Sequence, residues 1–139
     1  MGYHILLVED NPSNRELFIE ILQLNPEYMI HVASSGIEAL EMLENFRPDL
    51  ILMDIHMPRM DGLAVTRTIK SIPELASIPI VALSALAMQS DIKSALEAGC
   101  AGYITKPVRI RSFLEKIDTY IRQDKQGEQV CISAPCTEE

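Results

Sequence analysis

The feature that most constrains the fold is an alternation of short apolar runs with segments of helical period, repeated five times along the chain. The third run, Leu50-Ile51-Leu52-Met53, is apolar at every position, which is typical of a central parallel strand covered by helices on both faces. The sequence therefore predicts an α/β fold, (βα)5, with a doubly wound five-stranded parallel sheet. The predicted strands span residues 3–8, 28–33, 50–53, 80–83 and 102–105.

Local signals mark where the first two helices begin. Asn11 is suited to an N-cap and Pro12 to the first helical position, where its missing N–H costs nothing, and this helix is predicted to run to about Leu24. Ser35 and Glu38 have the spacing of a capping box ahead of the second helix. Both helices are therefore predicted to start directly after a strand.

The end of the domain is marked by the last amphipathic stripe and by a change of composition after it. Gly99 is suited to stop the fourth helix, predicted near 88–98. From Gln123 onward the chain is polar and shows no periodicity. We therefore predict one domain over 1–122 and a flexible tail over 123–139. The stripe of the fifth helix consists of Ile110, Phe113, Leu114, Ile117 and Ile121.

Composition limits the classes of function. With 12 basic and 20 acidic residues the net charge is −8, which opposes nonspecific binding to nucleic acid or anionic membrane. The first residues lack the features of a signal peptide, which favours a cytoplasmic location. The three cysteines, Cys100, Cys131 and Cys136, show no metal-ligand spacing and are interpreted as free thiols. Proteins are the expected partners.

Acidic residues follow two of the predicted strands. Glu9 and Asp10 come after the first strand, and Asp54 ends the third. In an open parallel sheet, ligands bind beyond the carboxyl ends of the strands, so the three carboxylates would converge if the first and third strands are neighbours. Close like charges need a cation, and a set of hard oxygen ligands favours Mg²⁺, with Mn²⁺ as the alternative ion.

Two further side chains are expected at the same end of the sheet. Lys106 follows the fifth strand and is held by Pro107, and Ser84 follows the fourth strand. Carboxylates, a divalent ion, an ammonium and a hydroxyl together suit phosphoryl transfer to a carboxylate. Asp54 is the predicted nucleophile.

Several short motifs, in order and suitably spaced, resemble the receiver domain of response regulators in two-component phosphorelay systems. The similarity covers about residues 3–121. It implies the strand order 2-1-3-4-5 and a flavodoxin-like three-layer sandwich. The motifs are Leu6-Leu7-Val8-Glu9-Asp10-Asn11, Leu52-Met53-Asp54-Ile55-His56-Met57-Pro58, Asp61-Gly62, Ser84-Ala85 and Lys106-Pro107.

The resemblance also implies roles for individual residues. Asp54 would be phosphorylated, and Glu9 and Asp10 would help to hold Mg²⁺ together with Asp54 and the backbone carbonyl of His56. Lys106 would contact the phosphoryl group. These residues form the implied acceptor site.

A second group of roles concerns the response to phosphorylation. Ser84 would hydrogen-bond the phosphoryl oxygens, and Tyr103 would turn inward behind it, changing the surface of the fourth helix, fifth strand and fifth helix. Pro107 would follow a cis peptide that aims the preceding lysine into the site.

The implied function is a stand-alone response regulator. Its phosphoryl donor would be a sensor histidine kinase or a histidine phosphotransfer protein, and its downstream target would be an unidentified protein. It would catalyse only its own phosphorylation and dephosphorylation. A monomer is expected, with a phosphorylation-dependent dimer as the alternative.

Three other functions compete with this one. A phosphatase of the haloacid dehalogenase type also uses an Asp nucleophile with Mg²⁺, but its second Asp would stand where this chain has His56. A flavodoxin-like binding module would need a phosphate cradle in the first turn, which is acidic here. A receiver that has lost phosphorylation would serve only as a scaffold.

Overall fold

The protein is described by a computed structural model that covers residues 2–57, 60–84, 89–105 and 109–126. Five parallel strands form one sheet in the order β2-β1-β3-β6-β7, which in chain order is the predicted 2-1-3-4-5. The strands of this sheet are β1 (Tyr3–Val8), β2 (Tyr28–Ala33), β3 (Leu50–Asp54), β6 (Ile80–Ser84) and β7 (Gly102–Thr105). A separate short hairpin consists of β4 (His56–Met57) and β5 (Met60–Asp61).

Five helices alternate with these strands and cover both faces of the sheet. Their bounds are α1 (Pro12–Leu22), α2 (Gly36–Met42), α3 (Gly62–Lys70), α4 (Gln89–Ala98) and α5 (Ile110–Gln126). The predicted α/β class, (βα)5 topology and three-layer arrangement are confirmed. Within the described residues, no helix combines the length and apolar character that a membrane span needs.

The two faces of the sheet bury separate apolar cores because side chains alternate along each strand. Leu6 and Ile51 point into a core formed with α2, α3 and α4. Their neighbours Ile5 and Leu52 point into the other core, where Phe18 of α1 meets Phe113 of α5. The buried third strand therefore needs apolar residues at successive positions, as its sequence indicated.

The predicted helix starts are present, with one difference. Asn11 Oδ1 accepts hydrogen bonds from the N–H groups of Ser13 and Asn14, at 2.9 and 3.2 Å. Ser35 Oγ accepts from the Glu38 N–H at 3.0 Å. The Glu38 carboxylate accepts from the N–H and hydroxyl of Ser34, both at 2.8 Å, so the reciprocal half of the capping box is made one residue earlier than the pattern predicted.

The first helix ends about two residues earlier than predicted. α1 ends at Leu22 rather than near Leu24, because the chain turns toward Pro26, whose ring cannot continue a helix. α5 continues to Gln126, four residues beyond the predicted domain boundary. Gly99 ends α4 with φ 112°, a backbone conformation that favours glycine. Residues 127–139 of the predicted tail, with Cys131 and Cys136, lie outside the described residues.

Two histidines on the adjacent strands β1 and β2 meet beside Phe46. His4 Nδ1 lies 3.0 Å from His31 Nε2, and both rings contact Phe46. A hydrogen bond between two imidazoles needs one nitrogen with a proton and one without, so double protonation disrupts it. Burial, followed by the charge of His4, lowers the pKa of His31.

This pair predicts a pH-dependent contribution to stability. The pKa of His31 in the folded protein is below its ordinary 6.5, so the unfolded chain takes up the proton first. The contribution is present above pH 6.5 and is lost as the pH falls toward the folded value. Between about pH 7 and about pH 5 we expect the wild type to lose more unfolding free energy than His31→Phe, by less than ~1 kcal/mol because the site is largely solvated. Chemical denaturation at both pH values measures the difference, and equal losses in the two proteins would contradict it.

Candidate functional site

The candidate site lies at the carboxyl ends of β1 and β3, where the strand order reverses. The two strands are hydrogen-bonded neighbours, with Val8 opposite Met53. Glu9 follows β1 directly and Asp54 is the last residue of β3. On the other side of β1, the Glu9 N–H donates to the Ala33 carbonyl at 3.0 Å, which extends the parallel pairing of β1 with β2 one step past β1. Strand order therefore brings together carboxylates that are 45 positions apart.

Three carboxylates form one cluster at this edge. Glu9, Asp10 and Asp54 each present an oxygen, and these atoms all lie within 4.8 Å of one another. Glu9 is 0% exposed and Asp54 is 3% exposed, so water screens their repulsion poorly. Hard oxygen donors gathered this closely fit Mg²⁺, which is held through one or two carboxylates and keeps several waters. The donor set therefore suits the predicted ion.

The loop that carries Glu9 and Asp10 is held in place by hydrogen bonds to its backbone carbonyls and to one carboxylate. Arg15 Nη1 on α1 donates to the carbonyls of both residues, each at 3.1 Å. The Asn11 N–H donates to Glu9 Oε2 at 3.3 Å. The acidic loop is thus held by Arg15 of α1 through two carbonyl oxygens and by its own Asn11 N–H through one carboxylate oxygen.

On the side of the site away from the acidic loop, the chain after β3 forms the short hairpin of β4 and β5 and then the start of α3. His56 lies two residues past Asp54 in the chain and pairs with Asp61 across the hairpin. Asp61 caps α3 by accepting from the Leu63 N–H at 2.9 Å. The next residue, Gly62, has no room for a side chain, since a Cβ there would lie 2.5 Å from the Asp54 carbonyl oxygen and 2.7 Å from Ile55 Cα.

Ser84 and Tyr103 lie on neighbouring strands on the far side of β3. Ser84 ends β6 and is fully buried, and Ala82 stands opposite Tyr103 in the pairing of β6 with β7. Burial raises the pKa of Tyr103, and a hydrogen bond with the Ser84 side chain opposes that rise. The two residues predicted to respond to phosphorylation are thus in direct contact.

The structure brings together part of the predicted site. Glu9, Asp10 and Asp54 converge, and the buried Ser84 ends the strand beside β3. Lys106, Pro107 and the side chain of His56 lie outside the described residues, so the predictions for them stay predictions.

Comparison with known proteins then identifies the family. The sequence profile of the response regulator receiver domain matches residues 5–118. The chain belongs to this family. The phosphatase and flavodoxin-like alternatives are thereby set aside, and the resemblance in the sequence motifs is confirmed.

Relatives of this receiver domain include proteins of similar length. The polar-differentiation response regulators DivK of Brucella anthropi and Brucella ovis are each 39% identical over 121 residues, which is 87% of this chain and 98% of each relative. Receiver domains of this family are signalling switches in two-component systems and are phosphorylated by histidine kinases.

Solved structures of other receivers are also similar. The receiver domain of a sensor histidine kinase from Pseudomonas aeruginosa, with a magnesium ion coordinated in its active site cleft, is 35% identical with a TM-score of 0.80, covering 88% of this chain and 99% of that one. A CheY-like receiver from Methanospirillum hungatei is 26% identical with a TM-score of 0.83, covering 92% and 100%. Receiver domains bind Mg²⁺ in the active site.

Two residues of this receiver domain have structural roles that the sequence reasoning did not predict. Arg15 holds the acidic loop, and Gly62 allows α3 to approach the end of β3. An arginine on the first helix gives no local signal because its partners are backbone carbonyls. Gly62 was part of the Asp61-Gly62 motif, but the motif does not show that α3 packs so closely on the end of β3 that a side chain has no room.

Proposed function

We propose that this receiver domain accepts a phosphoryl group on Asp54 from a phosphohistidine donor in a reaction that depends on Mg²⁺. The observation that carries the proposal is the cluster of Glu9, Asp10 and Asp54, whose carboxylate oxygens lie within 4.8 Å of one another. Of the three, Asp54 ends the central strand with only 3% of its surface exposed. Asp54 is also the residue that the resemblance to receiver domains implies as the phosphoryl acceptor, and its place at the end of β3 supports that role.

In the proposed reaction a carboxylate oxygen of Asp54 forms a bond to phosphorus while the bond between phosphorus and the donor imidazole nitrogen breaks. The electron pair of that bond stays on the imidazole, which takes up a proton from solvent. Glu9, Asp10, Asp54 and the backbone carbonyl of His56 would hold Mg²⁺, which would supply positive charge against the phosphoryl oxygens. Glu9 and Asp10 serve as ligands and not as acid or base.

Lys106 and Pro107 complete the proposed site from the segment after β7. The chain order supports this role, because a residue that follows β7 emerges at the same sheet edge as Asp54. The Lys106 ammonium would pair with the phosphoryl group as a point charge. Pro107 would fix the direction of the lysine.

The proposed output is a change in the surface formed by α4, β7 and α5. The hydrogen bond between Ser84 and Tyr103 supports a coupling in which phosphoryl oxygens draw on the Ser84 hydroxyl and Tyr103 follows. We propose a cytoplasmic, stand-alone regulator that is a monomer before phosphorylation. Its target would be a protein, since the net charge of −8 opposes nonspecific binding to nucleic acid.

The test is to incubate the protein with acetyl phosphate and Mg²⁺ and to measure its intact mass. We expect the wild type to gain one phosphoryl group, and we expect no gain for Asp54→Asn or for the wild type with Mg²⁺ chelated. Asp118→Asn is the matched control, because Asp118 lies on α5 beside the Tyr28 hydroxyl and Arg122, and it should be phosphorylated like the wild type.

A second measurement uses a phosphorylated histidine phosphotransfer protein as donor. Loss of its label to the wild type, and not to Asp54→Asn, is the expected result. A folded wild type that binds Mg²⁺ yet gains phosphoryl groups from neither donor would overturn the proposal and leave the scaffold function in its place.

A further inference from the structure

Arg15 reaches from α1 to the backbone of the acidic loop. One nitrogen, Nη1, donates to the Glu9 carbonyl and to the Asp10 carbonyl, each at 3.1 Å. The side chain is half-buried, so the two bonds are partly shielded from water. A single guanidinium nitrogen therefore joins the backbones of two residues whose side chains belong to the carboxylate cluster.

We propose that Arg15 is a positioning residue for the divalent ion, one that sets Mg²⁺ affinity without touching the ion. The inference rests on the proposed function, because it concerns the same site. Metal ligands are commonly oriented by groups behind them, and loss of such a group typically lowers metal affinity by about tenfold to a hundredfold. Here the oriented groups are Glu9 and Asp10, held through their carbonyl oxygens.

The local geometry explains why the loop needs this support. β1 ends at Val8 and α1 begins at Pro12, so the chain turns from strand to helix within three residues. Asn11 uses its side chain to cap α1. The carbonyls of Glu9 and Asp10 face the Arg15 guanidinium. Without the guanidinium, these carbonyls would need hydrogen bonds from water, and the neighbouring carboxylates would still repel one another.

Arg15 has two opposing effects on the affinity for Mg²⁺. Its positive charge repels a bound divalent ion, and its hydrogen bonds preorganise the ligands. Screening near the surface keeps the repulsion to roughly fivefold in affinity or less, whereas loss of preorganisation costs about tenfold or more. We therefore expect removal of Arg15 to weaken Mg²⁺ binding, although simple charge repulsion predicts tighter binding.

Arg15 could instead serve only as a partner for Glu38 on α2. The pKa of Glu38 is lowered chiefly by the backbone N–H and hydroxyl of Ser34, and Arg15 makes the smallest contribution. Glu38 is also almost fully solvated, so an ion pair there would stabilise little. The contacts to the loop carbonyls are the better explanation for the position of Arg15.

The test compares Arg15→Met, Arg15→Lys and Arg15→Gln with the wild type in the full chain. Mg²⁺ affinity is measured by calorimetry, and amide hydrogen exchange at 9–11 is measured without metal. We expect Arg15→Met to bind Mg²⁺ about tenfold more weakly and to exchange faster at these amides. Arg15→Lys, which keeps a charged donor, should recover most of the affinity. Arg111→Met, at an exposed arginine of α5, is the control and should match the wild type.

The outcomes separate the inference from the proposed function. A wild type that binds Mg²⁺, together with an Arg15→Met that binds it equally well or more tightly, would overturn the inference and leave the proposed function standing. A lower melting temperature with unchanged affinity would also overturn it, because the arginine would then be structural only. A wild type that does not bind Mg²⁺ would overturn both. Should Arg15→Met fail to fold, Arg15→Gln and Arg15→Lys decide the question by the same two readings.

Discussion

Without divalent metal, Asp54→Asn is expected to be more stable than the wild type by on the order of 1–2 kcal/mol. The variant removes one of three carboxylates whose oxygens lie within 4.8 Å of one another, in a region where Glu9 is fully buried. An amide in its place can donate a hydrogen bond to the remaining carboxylates. A substitution that abolishes the proposed function should therefore raise the melting temperature of the metal-free protein.

Mg²⁺ should reverse this order. An ion that binds only the folded state stabilises it by about 2.7 kcal/mol at a hundred times its dissociation constant. The wild type should gain this amount, and Asp54→Asn, which lacks one ligand, should gain much less. Thermal or chemical unfolding with and without Mg²⁺ measures both effects.

Asp61→Asn is the control for the loss of one negative charge. Its side chain caps α3, and asparagine caps helices as well as aspartate does. Its stability should change by less than ~0.5 kcal/mol in either condition. A metal-free Asp54→Asn that is less stable than the wild type would contradict the repulsion argument.

Gly62→Ala is expected to destabilise the fold by about 1–2 kcal/mol and to slow phosphorylation of Asp54 by about tenfold or more. Helix propensity alone predicts the opposite, a gain of up to about 1 kcal/mol. Packing decides, because the new Cβ would lie 2.5 Å from the Asp54 carbonyl oxygen and 2.7 Å from Ile55 Cα. Both atoms are backbone, so the start of α3 or the end of β3 has to move.

The matched control for this substitution is Ala64→Gly, at an exposed position two residues further along α3. It weakens the same helix by about 1 kcal/mol without crowding Asp54. Phosphorylation by acetyl phosphate should remain near the wild-type rate in Ala64→Gly and fall in Gly62→Ala. Equal rates in the two variants would show that α3 stability, and not the position of Asp54, controls the reaction.

Much of the architecture could be predicted from local patterns. Some features depend only on the residues of a single turn or strand, so local chemistry is sufficient to predict them. They are the buried run at 50–53, the N-cap at Asn11 and the helix stop at Gly99. The helix ends are harder to predict because they also depend on the residues beyond each helix. α1 stops at Leu22 and α5 continues to Gln126, and neither limit can be deduced from the apolar stripe alone.

The candidate site was predicted by residue type and by resemblance. The carboxylates lie at or just after the ends of two strands, with Glu9 and Asp10 after β1 and Asp54 at the end of β3. Carboxylates at such positions indicate an ion site wherever the strands are neighbours. That β1 and β3 are neighbours came from the resemblance and not from the residues. The structure shows the pairing directly, with Val8 opposite Met53.

The sequence by itself determined the class of fold, the identity of the elements and the acidic residues of the site, since these depend on periodicity, capping and the chemistry of side chains. Only the tertiary structure decided that Arg15 binds two loop carbonyls, that Gly62 leaves no space beside Asp54 and that His4 meets His31. These contacts depend on the distance between elements and on strand register. Both are set by how the helices pack on the sheet, which no short stretch of sequence encodes.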